Sequence, residues 1–163
     1  MADGTEKLPR GIRNKNPGNI KLGTDWDGLA AEQTDPTFCI FDEAVMGIRA
    51  LMRILLTYRF THNKKNIDSI IRRWAPPSEN DTEAYIKFVA KRMEIEPMAM
   101  IDNSIEAYLP LVKSIIQMEN GMQPYDDDLL VEGMYKAWEG LPTCLLYTSD
   151  AADEGLGVDL GGR

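Results

Sequence analysis

The chain has 163 residues, 44% hydrophobic and 27% charged, with a formal net charge of −8 at pH 7. Those proportions fit one compact domain and exclude a disordered or fibrous chain. No run approaches the roughly 18 apolar residues that cross a bilayer, and the N-terminal MADGTEKLPR lacks the apolar stretch of a signal peptide, so synthesis as a soluble cytosolic protein is expected.

The negative balance argues against a general nucleic-acid coat, and no nucleic-acid partner is expected. The charge is uneven, however. From Gly47 to Trp74, Arg49, Arg53, Arg59, Lys64, Lys65, Arg72 and Arg73 stand against Asp68 alone, a local +6. Cys39 and Cys144 are far apart with no neighbouring His, and His62 is the one histidine, so neither a disulfide framework, nor a metal site, nor a cofactor is expected.

In chain order, residues 1–10 read as a flexible leader and 11–143 as the domain. The segment GIRNKNPGNIKLG is rich in Asn, Gly and Pro, which favour turns because they accept or fix unusual backbone angles. Asn19–Leu22 and Thr37–Phe41 can then pair as a small hairpin around a loop holding Trp26, Asp27 and Gly28. A helix is expected after Asp42 as N-cap, burying Ile48, Leu51, Leu55 and Tyr58 and turning Arg49, Arg53 and Arg59 to solvent.

Ile67, Ile70, Ile71 and Trp74 predict a second helix that stops at Pro76–Pro77, because proline lacks the amide proton and clashes with the preceding turn. A third starts near Asn80 or Asp81 and buries Tyr85, Phe88 and Val89. The run from Met93 to Asn103 has mixed signals. A fourth helix is expected from about Tyr108 to Asn120, with Pro110 in its first turn and Gly121 past its end. A fifth follows Asp126, Asp127 and Asp128 and buries Leu130, Met134, Tyr135 and Trp138. The fold class is therefore mainly α (α+β), with one small β-hairpin. Residues 144–163 lose all helical period, and Cys144–Glu154 resembles a translated sequencing-library adapter, so this stretch is expected to be a non-native tail.

Glu119 is the candidate for chemistry. Tyr108, Val112, Ile115 and Glu119 recur at i, i+4, i+7 and i+11, so the carboxylate continues the apolar stripe. An acid at the edge of a core loses hydration of its charged form, which favours a carboxyl able to donate a proton near neutrality. Gly121 ends the helix just beyond it and allows a cleft beside the acid. Glycosidases need such a group to protonate the leaving oxygen. Trp26, Trp74 and Tyr125 could stack on sugar rings, although Trp74 at helical spacing more often belongs to a core; Cys39 reads as packing.

Three motifs carry a resemblance: GIRNKNPGNIKLGTDWDG with FCIFDEAVMGIRAL, IIRRWAPPSENDTEAYIKFVA, and LPLVKSIIQMENGMQPY. Together, over Gly11 to Trp138, they resemble a family of tailed-phage and prophage virion structural proteins suspected to be lysozyme-like peptidoglycan-degrading enzymes. The motifs also look like lysozyme-superfamily pieces in altered order: Glu119, Gly121 and Tyr125 resemble the Glu-Gly helix end of phage endolysins, with Asn120 inserted. Asn14, Asn16, Asn19, Phe41 and Asp42 resemble pieces that follow the catalytic Glu in bacterial glucosaminidases, an order that a circular permutation would reconcile. The resemblance implies a lysozyme-like domain, peptidoglycan and other virion proteins as partners, and a place in the virion or bacterial cell wall. It implies Glu119 as general acid and Asn14, Asn16, Asn19, Trp26 and Tyr125 as substrate-binding residues. The second carboxylate stays open among Asp25, Asp27, Asp42 and Glu43, with Glu43 carried forward; so does the choice between hydrolysis, transglycosylation and a purely structural role.

Overall fold

Residues 7–141, which a computed structural model describes, form six helices: α1 (Arg10–Arg13), α2 (Ala44–Phe60), α3 (Ile67–Trp74), α4 (Thr82–Met93), α5 (Ile105–Asn120) and α6 (Asp127–Glu139). The expected tail from residue 144 lies outside the described residues. Helix α1 begins at Arg10, inside the turn-rich segment; its four residues carry too little pattern to be read as a helix.

Local chemistry explains the boundaries. Asn66, Asp81 and Asp126 each accept a hydrogen bond from the backbone N–H three residues on, at 2.8, 3.1 and 2.9 Å, which satisfies one orphan donor at each helix start. Helix α5 starts three residues before the expected Tyr108 because Ser104 caps it, accepting from the Ala107 N–H at 3.1 Å. Pro110 therefore lies inside the helix, past the first turn, and the Ser114 hydroxyl donates to the Pro110 carbonyl at 2.7 Å. Helix α2 is capped at Glu43 rather than Asp42, with no side-chain cap bond. Gly121 closes α5 at φ 71°, where a β-carbon would strain the chain.

Helix α2 is buried on nearly every side, which overturns the expected solvated arginine face. Its cations are absorbed internally. Arg59 is fully buried and donates from Nη1 to the Ile101 carbonyl at 2.7 Å and the Tyr108 hydroxyl at 3.0 Å. Arg53 donates to the Ala137 carbonyl at 3.1 Å, near the end of α6, where carbonyls lack helical partners. Arg49 pairs with Asp27 at 3.2 Å. Farther along, Arg72 pairs with Asp68 at 3.0 Å and Glu83 at 2.8 Å, and Arg73 stacks 5.3 Å from the centre of the Tyr58 ring.

Helix α6 is the principal neighbour of α2, and α4 packs against both α3 and α5. The α2–α6 approach depends on Gly133, where a β-carbon would lie 2.6 Å from Ile48 Cγ2 and 2.9 Å from the Val45 carbonyl oxygen. Gly133, Met134, Ala137 and Leu130 form the inner face of α6; Tyr135, expected inside, is 56% exposed because this face rotates it outward. The expected hairpin is reduced to isolated antiparallel bridges, Lys21 with Phe38 and Leu29 with Phe41. Its pairing is real but brief: the Leu22 N–H donates to Thr37 and the Cys39 N–H to Ile20, both at 2.9 Å. No described helix is long and apolar enough to cross a membrane.

Gly133→Ala should destabilise the protein by about 1–3 kcal/mol, since the new methyl meets a packed side chain and backbone. Tyr135→Ala, on the outer face of the same helix, should change stability by no more than about 0.5 kcal/mol. Urea denaturation of the two variants checks the contrast.

Candidate functional site

The turn from Asn14 to Ile20 is built around buried amides. Asn16 is fully buried; its Nδ2 donates to the Ile20 and Cys39 carbonyls at 3.0 Å each, and its Oδ1 accepts from the Ile20 N–H at 3.0 Å. These bonds replace a β-ladder where the chain turns too tightly to form one. Lys15 and Asn19 take positive φ, 54° and 49°, a conformation that asparagine accepts more readily than most residues. Asn14 is 8% exposed and braces the turn from outside, donating to Asp35 Oδ2 at 3.0 Å while its carbonyl accepts from the Phe41 N–H at 2.9 Å.

This turn docks on the C-terminal end of α5. Asn120 donates to the Pro17 carbonyl at 2.8 Å and to Ile116 at 3.0 Å, and Asn19 Nδ2 donates to the Glu119 backbone carbonyl at 3.4 Å. Gly11 lies against the same junction. A β-carbon there would come 2.7 Å from Asn19 Oδ1 and closer still to Asn120 Oδ1, so a side chain has no room. Those two amide oxygens are buried without a hydrogen-bond partner.

Glu119 is half-buried at this junction. Its Oε2 accepts from the Trp74 indole N–H at 3.3 Å and from the Tyr85 hydroxyl at 3.1 Å. Both donors are almost wholly buried, Trp74 at the end of α3 and Tyr85 in the first turn of α4. Three helices thus converge on one carboxylate oxygen, and the two donors are neutral groups that orient it without adding a formal charge. Gly18 packs beneath them, where a β-carbon would meet the Trp74 ring at 3.2 Å and Leu51 at 3.3 Å.

Of the residues nominated from sequence, the structure brings Glu119, Asn19 and Asn16 together, with Asn14 one step behind. Tyr125 is part-buried against the core beyond Gly121, its backbone held by Gln123 and its phenol pushed up from the usual value by burial. Trp26 is 7% exposed and belongs to the core beside the Asp27–Arg49 pair. Glu43 is exposed at the start of α2, where its carbonyl accepts from the Met46 N–H at 3.0 Å. Asp42 contributes its carbonyl to Lys15 Nζ at 2.8 Å, and Asp25 is exposed. Trp74 and Tyr85 as partners of Glu119, and Asn120 as the anchor of the turn, were not nominated. Among the described residues no group of three His, Cys, Asp or Glu side chains is disposed to hold a metal ion.

Over 128 residues the chain is 44% identical to Protein P5 of Pseudoalteromonas phage PM2, covering 76% of this chain and 79% of that protein. The chain belongs to the family of this phage protein. No family model matches it. The likeness extends over most of the chain rather than one motif.

Asp35 links the turn to the bridged segment, and its ionisation should be visible in stability. Backbone N–H donors from Phe38 and Thr37, then the Asn14 amide and the Arg10 charge, hold its carboxyl down from 3.8 to about 2. A carboxyl with a depressed folded-state value stabilises above its unfolded value and loses that contribution as pH falls toward the folded one. Asp35→Asn should therefore lower the urea midpoint at pH 7, and its gap from wild type should narrow between about pH 4 and pH 2.

Proposed function

We propose that this phage protein is a peptidoglycan glycan-strand-cleaving enzyme of lysozyme-like character, with Glu119 as its general acid. The observation that carries the reading is a half-buried carboxylate at a helix end, oriented by an indole and a phenol and adjoining an Asn-rich turn. Glu119 would give its proton to the glycosidic oxygen as the C1–O bond breaks. Water, or an intramolecular sugar hydroxyl, would then complete the anomeric carbon, leaving a reducing end or an anhydro sugar. Asn19 and Tyr125 would border the sugar, with Asn14 and Asn16 holding the turn that presents Asn19 and Trp26 supporting the loop beside it. Glu43 would be the second carboxylate. A lysozyme-like ancestry with circular permutation would account for the order of the motifs, and action in the virion or at the host cell wall would follow.

The second reading is a non-catalytic virion component that binds glycan or neighbouring subunits. It is favoured by the burial of Trp74 and Tyr85, since donors this deep also suit a carboxylate whose work is to pin three helices together. The two readings separate in one experiment. Purified peptidoglycan is incubated with the wild type and with Glu119→Gln, and soluble fragments are identified by mass spectrometry. The enzymatic reading predicts muropeptides from the wild type and a loss of at least about a hundredfold in the variant, with the fold retained. Saturable sedimentation with peptidoglycan and no released fragment from either protein supports the binding reading instead.

A further inference from the structure

The opposite end of α5, roughly 20 Å along the helix from Glu119, is concave. A cavity of about 360 Å³ opens between the start of α5, at Asn103–Glu106, and the outer face of α6, at Tyr135, Trp138 and Glu139. The α6 residues fall at i, i+3 and i+4 and so share one face. Tyr135 is the large exposed aromatic of that face. The Trp138 ring is fixed edge-on against Tyr108, with centroids 5.8 Å apart and planes at 77°, which holds an aromatic wall in place.

The chemistry of the wall is one-sided. Glu106 and Glu139 bring two exposed carboxylates from two different helices, and none of the residues lining the cavity is basic. Asn103 adds an amide oxygen that is buried without a hydrogen-bond partner. The Ser104 hydroxyl accepts from the Ala107 N–H at 3.1 Å, which satisfies one donor of the helix start. Acceptors beside two aromatic rings suit a ligand that is all donor and positively charged, because a cation gains both from the carboxylates and from the negative faces of the rings.

We propose that this cavity is a docking site for a lysine or arginine side chain presented by a partner polypeptide. The charge complementarity selects the occupant, and the volume lies at the small end of ligand pockets, suited to one side chain. The site is separate from Glu119 and does not depend on the proposed catalysis.

The test is a titration of the full chain, isotopically labelled, with Nα-acetyl-arginine amide and Nα-acetyl-lysine amide, followed by nuclear magnetic resonance. Saturable shifts at the Trp138 indole and the Tyr135 ring are expected, weakening as salt is raised. Glu106→Gln and Glu139→Gln, both at exposed positions, should each weaken binding roughly two- to fivefold, whereas Glu119→Gln should leave it unchanged. Absence of shifts with either cation, equal shifts with an N-acetylglucosamine trimer, or unchanged affinity in the Glu106→Gln/Glu139→Gln double variant would overturn the proposal.

Discussion

The contact that the rest of the candidate site depends on is the docking of the Asn14–Ile20 turn against the last residues of α5. Asn120 reaches across 103 positions of sequence to the Pro17 carbonyl, and Asn19 returns the contact to the carbonyl of Glu119. A turn with two left-handed residues and a fully buried asparagine cannot hold itself by a β-ladder, so its backbone groups are satisfied by side-chain amides instead. Each lost amide would leave buried partners unpaired, which costs more than the bond itself contributes. The absence of side chains at Gly11 and Gly18 then lets the turn lie directly on α5 and on the Trp74 ring. The position of the Glu119 carboxylate follows from this docking as much as from its place on the helix.

Burial of α2 explains why the basic segment is not a basic surface. Arg59 is sealed between the Ile101 carbonyl and Tyr108, Arg53 reaches the last turn of α6, and Arg49 meets Asp27. A guanidinium can do this because its several donors reach more than one acceptor in a fixed geometry. The concentration of positive charge between Gly47 and Trp74 thus largely serves internal connections between helices, and the negative charge of the chain is left on the outside, as at Glu106 and Glu139.

The parts of this architecture that could be read from sequence are those fixed by neighbours in the chain. Asp81 and Asp126 at helix starts, the isoleucine spacing of α3 and the glycine after Asn120 are local signals, and each marks the element it predicted, whereas the Asn66 cap of α3 was missed. Glu119 was legible for the same reason, as an acid continuing a stripe. What was not legible is set by partners far away in sequence. Tyr135 is turned outward because the closeness of Ile48 demands glycine at position 133 on the inner face, and the hydrophobic pattern of α6 alone cannot register that. The arginines of α2 looked solvated because charge is read as exposure when its acceptors, such as the Ile101 and Ala137 carbonyls, lie elsewhere in the chain. Ser104 was overlooked as a cap because Pro110 seemed to mark a first turn. Trp74 and Tyr85 carry no mark of their bond to Glu119, from which they are 45 and 34 positions distant.

Amide hydrogen exchange in Asn120→Ala shows whether Asn120 holds the turn in place on α5. Exchange at the Ile20 and Cys39 amides should accelerate about ten- to a hundredfold, the equivalent of about one to three kcal/mol for a buried amide contact, while the amides of α2 and α6 keep their protection. Unchanged exchange at Ile20 and Cys39, or a uniform acceleration throughout the chain, would contradict it.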